Sequence, residues 1–268
     1  MGEAGWLDTF RSMGKRAGEL ARPLAGTARG RRELGRGAAG DMTIFMDRAL
    51  EDMVVREAER AGNIRLISEE LGVKDFGTPK AALVVDPLDG SANAEFGIGF
   101  YAVSYALGPP EPRLGNIEIG YVRNLVSGDE YWALKGKGAF RNGKRIRTQK
   151  DFGLRMLLME MSPGPVRAFD NARHIVEKAG KVRCMGSLAL DMCLVASGAA
   201  SALVDLRGGM VRPLDISAGK LILEEAGGIV KDGRGRAIDG LTIDPIARTD
   251  ILAAASGRLL SRLLKMKG

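Results

Sequence analysis

Between residues 6 and 28, Leu and Ala recur among Arg and Glu at roughly helical spacing, which predicts an amphipathic helix. A Gly-rich stretch, GRGAAGD, breaks the pattern. It resumes in DMTIFMDRALEDMVVREAERAG, where Ile44, Leu50, Met53, Val54 and Ala58 form a second helical stripe around Phe45 and Met46. NIRLISEE and AALVVD then read as strands. GFYAVSYALG, GNIEIGYVRN and GDEYWALKGKGAFRNGKRIR alternate and turn like an antiparallel meander. The first half is therefore expected to pack helices on an antiparallel sheet.

The rhythm changes after residue 150. RMLLMEM reads as a strand, residues 166 to 179 as a helix and KVRCM as a strand. SLALDMCLVASG reads as a helix, SALVDL as a strand, and DISAGKLILEEAGG as a helix closed by Gly227. GIVKDG and DILAAAS add strands, and GRLLSRLLKMKG ends the chain as a basic helix. Such alternation is the pattern of an α/β half. The expected organisation is an N-terminal α+β lobe over residues 1 to 150 and a C-terminal α/β lobe over 151 to 268. Their boundary falls near residues 148 to 155, without a flexible tether.

Composition narrows the chemistry more than the fold. With 45% hydrophobic and 27% charged residues the chain is an ordinary globular protein. No apolar run reaches membrane-spanning length, and the N-terminus lacks a signal-peptide apolar region. Gly2 does not bring the Ser or Thr needed for myristoylation, because Trp6 stands there. Cys184 and Cys193 are too few for a disulfide framework and fit a reducing cytoplasm. A net charge of +7 favours anionic partners. RGRRELGR, the densest basic stretch, has no interleaved aromatic residue, so it reads as a solvated face rather than a stacking platform for nucleic acid.

His174 is the only histidine, which excludes multi-histidine zinc or iron sites, and its surroundings read as a polar surface helix. The cysteine-phosphatase spacing and the Asp-x-Asp motif of aspartyl-phosphate enzymes are both missing. Hydrolysis by this chain would have to rest on carboxylates, and so on metal ions. Two glycine motifs are decoys. GRGAAG follows no buried strand, as a dinucleotide site requires. GAFRNGKR puts Arg145 where a Walker loop needs Ser or Thr, and its Asn142-Gly143 pair reads as a hairpin turn.

The acidic residues are arranged differently. Asp86 and Asp89 follow the buried run Leu83, Val84, Val85, and Pro87 between them forbids a helical continuation. Two close carboxylates repel unless protonated or bridged by a cation. A turn whose Asp side chains cap backbone N–H groups fits the same stretch. Glu69 and Glu70 end a strand, where alternation would let only one of them face a given site. Asp215 opens an apolar helix, a position where Asp is ordinarily an N-cap. All sit at ends of apolar elements, where sites of layered α/β folds collect.

Taken in order, SEE, VVDPLDGSANAEFGIGFYAVSYAL and PLDISAGKLILEEAGG resemble the inositol monophosphatase and fructose-1,6-bisphosphatase superfamily of metal-dependent sugar phosphatases. GKGAFRNGKRI and GSLALDMCLVASG extend the resemblance over nearly the whole chain. DPLDG and VDLRGG with RPLDISAGKLILEEAGG are most similar to archaeal dual-activity members. The resemblance implies a layered αβαβα sandwich, α+β in its first half and α/β in its second. It implies two or three Mg²⁺ ions, with Mn²⁺ as a substitute. Glu69, Asp86 and the backbone carbonyl of Leu88 would hold the first ion, and Asp86, Asp89 and Asp215 the second. Gly90 and Ser91 would start a short helix that binds phosphate. The Ser91 hydroxyl, where the family usually has Thr, would help Glu69 deprotonate the attacking water, supported by Asp47. Asp89 would also bind substrate, Ser187, Leu188 and Asp205 would meet the leaving group, and Arg183 a second phosphate.

The implied activity is Mg²⁺-dependent hydrolysis of inositol 1-phosphate, fructose 1,6-bisphosphate or both, by in-line attack of a metal-activated water. The implied enzyme is a cytoplasmic homodimer acting on a small phosphorylated sugar or polyol, with neither a membrane nor a specific nucleic acid as partner. A 3′(2′),5′-bisphosphate nucleotidase of the same superfamily is the alternative within the class, and a non-catalytic RNA-binding module the alternative outside it. The chain departs from the family in lacking Trp before Asp215, in SEE for the commoner GEE, and in placing Glu95 near the phosphate loop.

Overall fold

A computed structural model describes residues 2–38, 40, 42–150 and 153–267. Residues 39 and 41 of the Gly-rich segment, and 151 and 152 at the expected lobe boundary, lie outside the described residues. Helix α1 (Glu3–Ala21) is shorter than its periodicity suggests, because Pro23 lacks the N–H a further turn needs. A small hairpin, β1 (Glu33–Arg36) with β2 (Met42–Ile44), leads into α2 (Phe45–Ala61).

Eight strands build the first large sheet: β3 (Ile64–Ser68), β4 (Gly72–Phe76), β5 (Ala81–Asp89), β6 (Ala102–Gly108), β7 (Ile119–Asn124), β8 (Glu130–Leu134), β9 (Gly138–Arg141) and β10 (Lys144–Ile146). Their spatial order is β10-β9-β8-β7-β6-β5-β3-β4. The expected meander is present, and Asn142 and Gly143 at φ 49° and 76° make the β9–β10 turn. One pairing departs from the antiparallel expectation: β3 and β5 run parallel. β4, which sequence periodicity did not reveal, doubles back on the outer edge of β3, so the chain returns to lay β5 on the inner edge.

The second sheet has the order β12-β11-β13-β15-β14, formed by β11 (Leu157–Met159), β12 (Val182–Arg183), β13 (Ala202–Asp205), β14 (Ile229–Lys231) and β15 (Ile251–Ala254). β12, β11, β13 and β14 run in one direction, and β15 runs antiparallel between β13 and β14. Helices α4 (Pro165–Glu177) and α7 (Gly257–Lys267) cover one face, where Ala172, Ile175, Leu259, Leu260 and Leu263 pack on Leu157, Val204 and Leu252. Helices α5 (Leu188–Ala196) and α6 (Pro213–Glu225) lie between the two sheets. They bury residues all round, as a helix sandwiched by two apolar faces must. Helices α1 and α2 close the far side of the large sheet, over Tyr105 and Tyr121. The outcome is the αβαβα layering, and the central core draws residues from both halves of the chain.

Contact between α6 and the large sheet is close. A Cβ at Gly120 on β7 would stand 2.8 Å from the Ala218 carbonyl, so only glycine lets α6 approach at that point. This proximity brings the start of α6 to the end of β5, where the acidic residues collect.

Candidate active site

Asp86 and Asp89 stand three residues apart, a spacing that would send them to opposite faces of a regular strand. The β5–β6 pairing removes the conflict. Asp86 pairs with Ser104 and Asp89 with Ala102, so β5 advances three residues while β6 advances two. Ser104 and Ala102 share a face, and the extra residue in β5 turns both carboxylates to it. A bulge at a strand end re-aims side chains in this way.

Asp86 is buried, and its Oδ1 accepts the Leu88 N–H at 3.0 Å. Carboxylate oxygens of Glu69, Asp86 and Asp215 all lie within 4.8 Å of one another. Burial, then repulsion from Glu69, Asp89 and Asp215, pushes the Asp86 carboxyl well above its ordinary range. Glu69 is raised well above its usual value too, by burial, against the opposing pull of Arg212. Burial also raises Asp215, again opposed by Arg212. A largely buried site of hard oxygen donors carrying excess negative charge has the chemistry that a divalent cation such as Mg²⁺ or Mn²⁺ requires. The donor set fits a metal centre.

Asp89 is buried in the same region but differently engaged. Its oxygens accept the Ser187 hydroxyl at 2.5 Å and the N–H groups of Leu188 and Ala189 at 3.0 and 2.8 Å. It therefore caps α5 across nearly a hundred residues of chain, as well as standing beside the cluster. Burial, partly offset by these hydrogen bonds, brings its carboxyl up to about 6.

The expected phosphate loop is a six-residue helix, α3 (Ser91–Phe96), entered through Gly90 at φ 87°. A Cβ at Gly90 would lie 3.0 Å from the Gly186 carbonyl and 3.1 Å from that of Phe100, so the position requires glycine on two counts. Asn93, not singled out from sequence, ties α3 down: its Nδ2 donates to the carbonyls of Phe100 and Met185, each at 2.7 Å.

Asp47, Glu69, Glu70, Leu88, Ser91 and Arg212 line one pocket of about 140 Å³. Asp47 sits in the first turn of α2, and its Oδ2 accepts the Ile44 N–H at 2.8 Å. Burial raises its carboxyl to about 7, against that hydrogen bond. Asp47 and Ser91 share the pocket, with no hydrogen bond between them. Strand alternation does not separate the two glutamates, because β3 ends at Ser68 and both occupy the following turn. Glu70 lines the pocket as well, and its carboxylate accepts the hydroxyl of Thr43.

The remaining expected contacts are less convergent. Asp205, wholly buried at the end of β13, is bonded by Arg207 through Nε at 2.9 Å and Nη2 at 2.5 Å. Arg183 is exposed on the edge strand β12, and its guanidinium donates to the Val182 carbonyl at 2.8 Å. Glu95, on α3, raises the Asp47 carboxyl by repulsion. His174 is exposed on α4 beside Glu177, at 3.2 Å. Arg212 is the principal residue missed. Its Nη2 lies 2.5 Å from Glu69 Oε1, and its Nε lies 3.1 and 3.0 Å from the two Asp215 oxygens. An Arg three positions before an Asp at a helix start was the available signal.

An αβαβα sandwich with a buried oxygen-donor cluster beside a glycine-entered helix turn defines a metal-dependent class of hydrolase. The chain belongs to the inositol monophosphatase family, which it matches over residues 6–266. It is a phosphatase of that family. It is 37% identical to fructose-1,6-bisphosphatase/inositol-1-monophosphatase of Methanothermobacter thermautotrophicus, over 97% of this chain and 95% of that one. Identity to the protein of the same name from Thermococcus kodakarensis is 32%, over 98% and 97% of the two chains. The crystal structure of an inositol monophosphatase-fructose 1,6 bisphosphatase superposes with a TM-score of 0.85 at 27% identity, over 97% of this chain and 99% of the other. Among the described residues, no helix is long and apolar enough to cross a membrane.

Proposed function

We propose that this protein hydrolyses inositol 1-phosphate and fructose 1,6-bisphosphate, using Mg²⁺ held by Glu69, Asp86, the Leu88 carbonyl, Asp89 and Asp215. The observation that carries the reading is the buried convergence of Glu69, Asp86 and Asp215 beside Ser91. Bound there, divalent cations supply Lewis-acid neutralisation of phosphoryl oxygens and make water a nucleophile near neutral pH. Ser91 and the first N–H groups of α3 hold the phosphate, since a helix start has unpaired donors. Glu69 orients the attacking water and takes its proton. Asp47, its carboxyl raised by burial to about 7, supports the Ser91 hydroxyl through the pocket they share. Asp89 sets the α5 start, so Ser187 and Leu188 stand where the leaving group departs.

The N-terminal lobe, residues 1 to 150, thus supplies the metal-binding strand ends and phosphate loop, and the C-terminal lobe supplies Asp215 and the leaving-group wall. In this reading Arg183 reaches toward a second phosphate, and Asp205, buried and bonded by Arg207, acts from behind that wall. The reading also makes the enzyme a cytoplasmic homodimer. Two unpaired thiols, Cys184 exposed and Cys193 buried, agree with a reducing compartment.

The test is phosphate release with Mg²⁺ from inositol 1-phosphate, fructose 1,6-bisphosphate and adenosine 3′,5′-bisphosphate. The two sugar phosphates should be turned over fastest. Preference for the nucleotide would make the protein a bisphosphate nucleotidase, and no turnover of any of them would overturn the reading.

Ser91 gives a second, sharper expectation. Ser91→Thr should be tolerated, because the hydroxyl survives. Ser91→Ala keeps the backbone N–H and loses the proton path, so it should lower kcat by about 10²-fold or more with KM nearly unchanged. Steady-state kinetics on the preferred substrate check this, and an unchanged kcat in Ser91→Ala would leave Ser91 as a phosphate-holding residue alone.

A further inference from the structure

Arg212 is almost wholly enclosed, with its side chain 13% exposed, at the N-cap position of α6. Its guanidinium reaches Glu69 with one nitrogen and both oxygens of Asp215 with another. These are two of the three carboxylates that converge for a cation, and Asp86 acts on Arg212 electrostatically as well. Arg248 acts on Asp215 too, but among the described residues Arg212 is the cation in contact with two members of the cluster. The same side chain lines the pocket that holds Ser91 and Asp47.

An arginine cannot surrender its charge to relieve crowding, because its proton is never lost in a protein. A divalent cation arriving at Glu69 and Asp215 must therefore compete with the guanidinium for the same oxygens. We propose that Arg212 is a resident counter-ion: it neutralises Glu69 and Asp215 in the metal-free chain, is displaced from them by the metal, and then turns its donors to the phosphate ester in the pocket it already lines. The inference rests on the metal-centre reading of the cluster. It adds a residue that the resemblance did not assign, and a definite sign for its effect. A residue that merely positioned the ligands would strengthen metal binding, whereas a counter-ion weakens it.

The experiment is calorimetric titration of the chelator-stripped protein with Mn²⁺, comparing wild type, Arg212→Gln and Arg212→Lys, with melting temperatures recorded in chelator. Removing charge-assisted contacts that the metal must break should tighten Mn²⁺ binding on the order of 10-fold in Arg212→Gln. It should also lower the metal-free melting temperature, because the carboxylates lose their neutralising partner. Arg212→Lys keeps the charge but cannot span both carboxylates with a fork, so its Mn²⁺ affinity should fall between the other two. This variant preserves the test if Arg212→Gln does not fold. With Mn²⁺ saturating, inorganic phosphate should bind more weakly to both variants than to wild type. Equal or weaker Mn²⁺ binding by the variants would overturn the counter-ion and leave Arg212 a ligand-positioning residue. Wild-type protein that binds no Mn²⁺ at all would overturn the metal-centre reading instead, so the two failures are distinguishable.

Discussion

Asp86→Asn and Asp215→Asn should each abolish phosphate release while leaving the fold intact. Each exchange keeps volume and removes one charged oxygen donor from a cluster whose members lie within 4.8 Å. Asn can still accept the Leu88 N–H that Asp86 now accepts, so the β5 bulge keeps its local bond. Burial and like-charge repulsion already hold the Asp86 carboxyl well above its usual range. Neutralising it should therefore raise the melting temperature in chelator, a sign opposite to that of most buried substitutions. Asp215→Asn differs, because it also deprives Arg212 of a partner, and its metal-free melting temperature should rise less or fall. Parallel measurement of turnover and melting separates loss of chemistry from loss of fold. Near-normal turnover of either variant at saturating Mg²⁺ would refute the assignment of that ligand.

Glu69→Gln should cost several orders of magnitude in kcat, since in the proposed mechanism Glu69 is both a charged ligand and the base that orients the attacking water. Glu70→Gln should be much milder. The reason is not strand alternation, because both residues lie beyond the end of β3. It is that Glu70 spends its carboxylate on the Thr43 hydroxyl at the β2 hairpin, a bond the Gln carbonyl can still accept. Kinetics of the two variants at saturating Mg²⁺ decide between them, and equal losses would place both glutamates in the chemistry.

Long periodic elements were readable in the chain, and the exposed strands β1 and β4 were not. The stripe through Leu50, Met53 and Val54 places α2, and the apolar run through Val85 places β5, because each buries a continuous face. β1, with every residue exposed, and β4, largely exposed on a sheet edge, show no such face. Their pairing with neighbours defines them, and pairing is not a local property. Asp86, Asp89 and Asp215 stood out as acids at the ends of apolar elements. What they do together depended on a register shift between β5 and β6, and on α6 resting against Gly120. Asn93 and Arg212 escaped notice for a related reason. Asn93 bonds the Met185 carbonyl and Arg212 bonds Glu69, contacts made across long stretches of chain.

The central claim is that the buried carboxylate cluster is a metal centre at which phosphate esters are hydrolysed. Its most direct test is a Mg²⁺ titration of chelator-stripped wild-type protein, following phosphate release from inositol 1-phosphate or fructose 1,6-bisphosphate, whichever is turned over faster. Activity should be absent without the cation, rise saturably as Mg²⁺ is added, and not be restored by Mg²⁺ in Asp86→Asn. Full turnover in the stripped protein, or a Mg²⁺ response that survives in Asp86→Asn, would contradict the account.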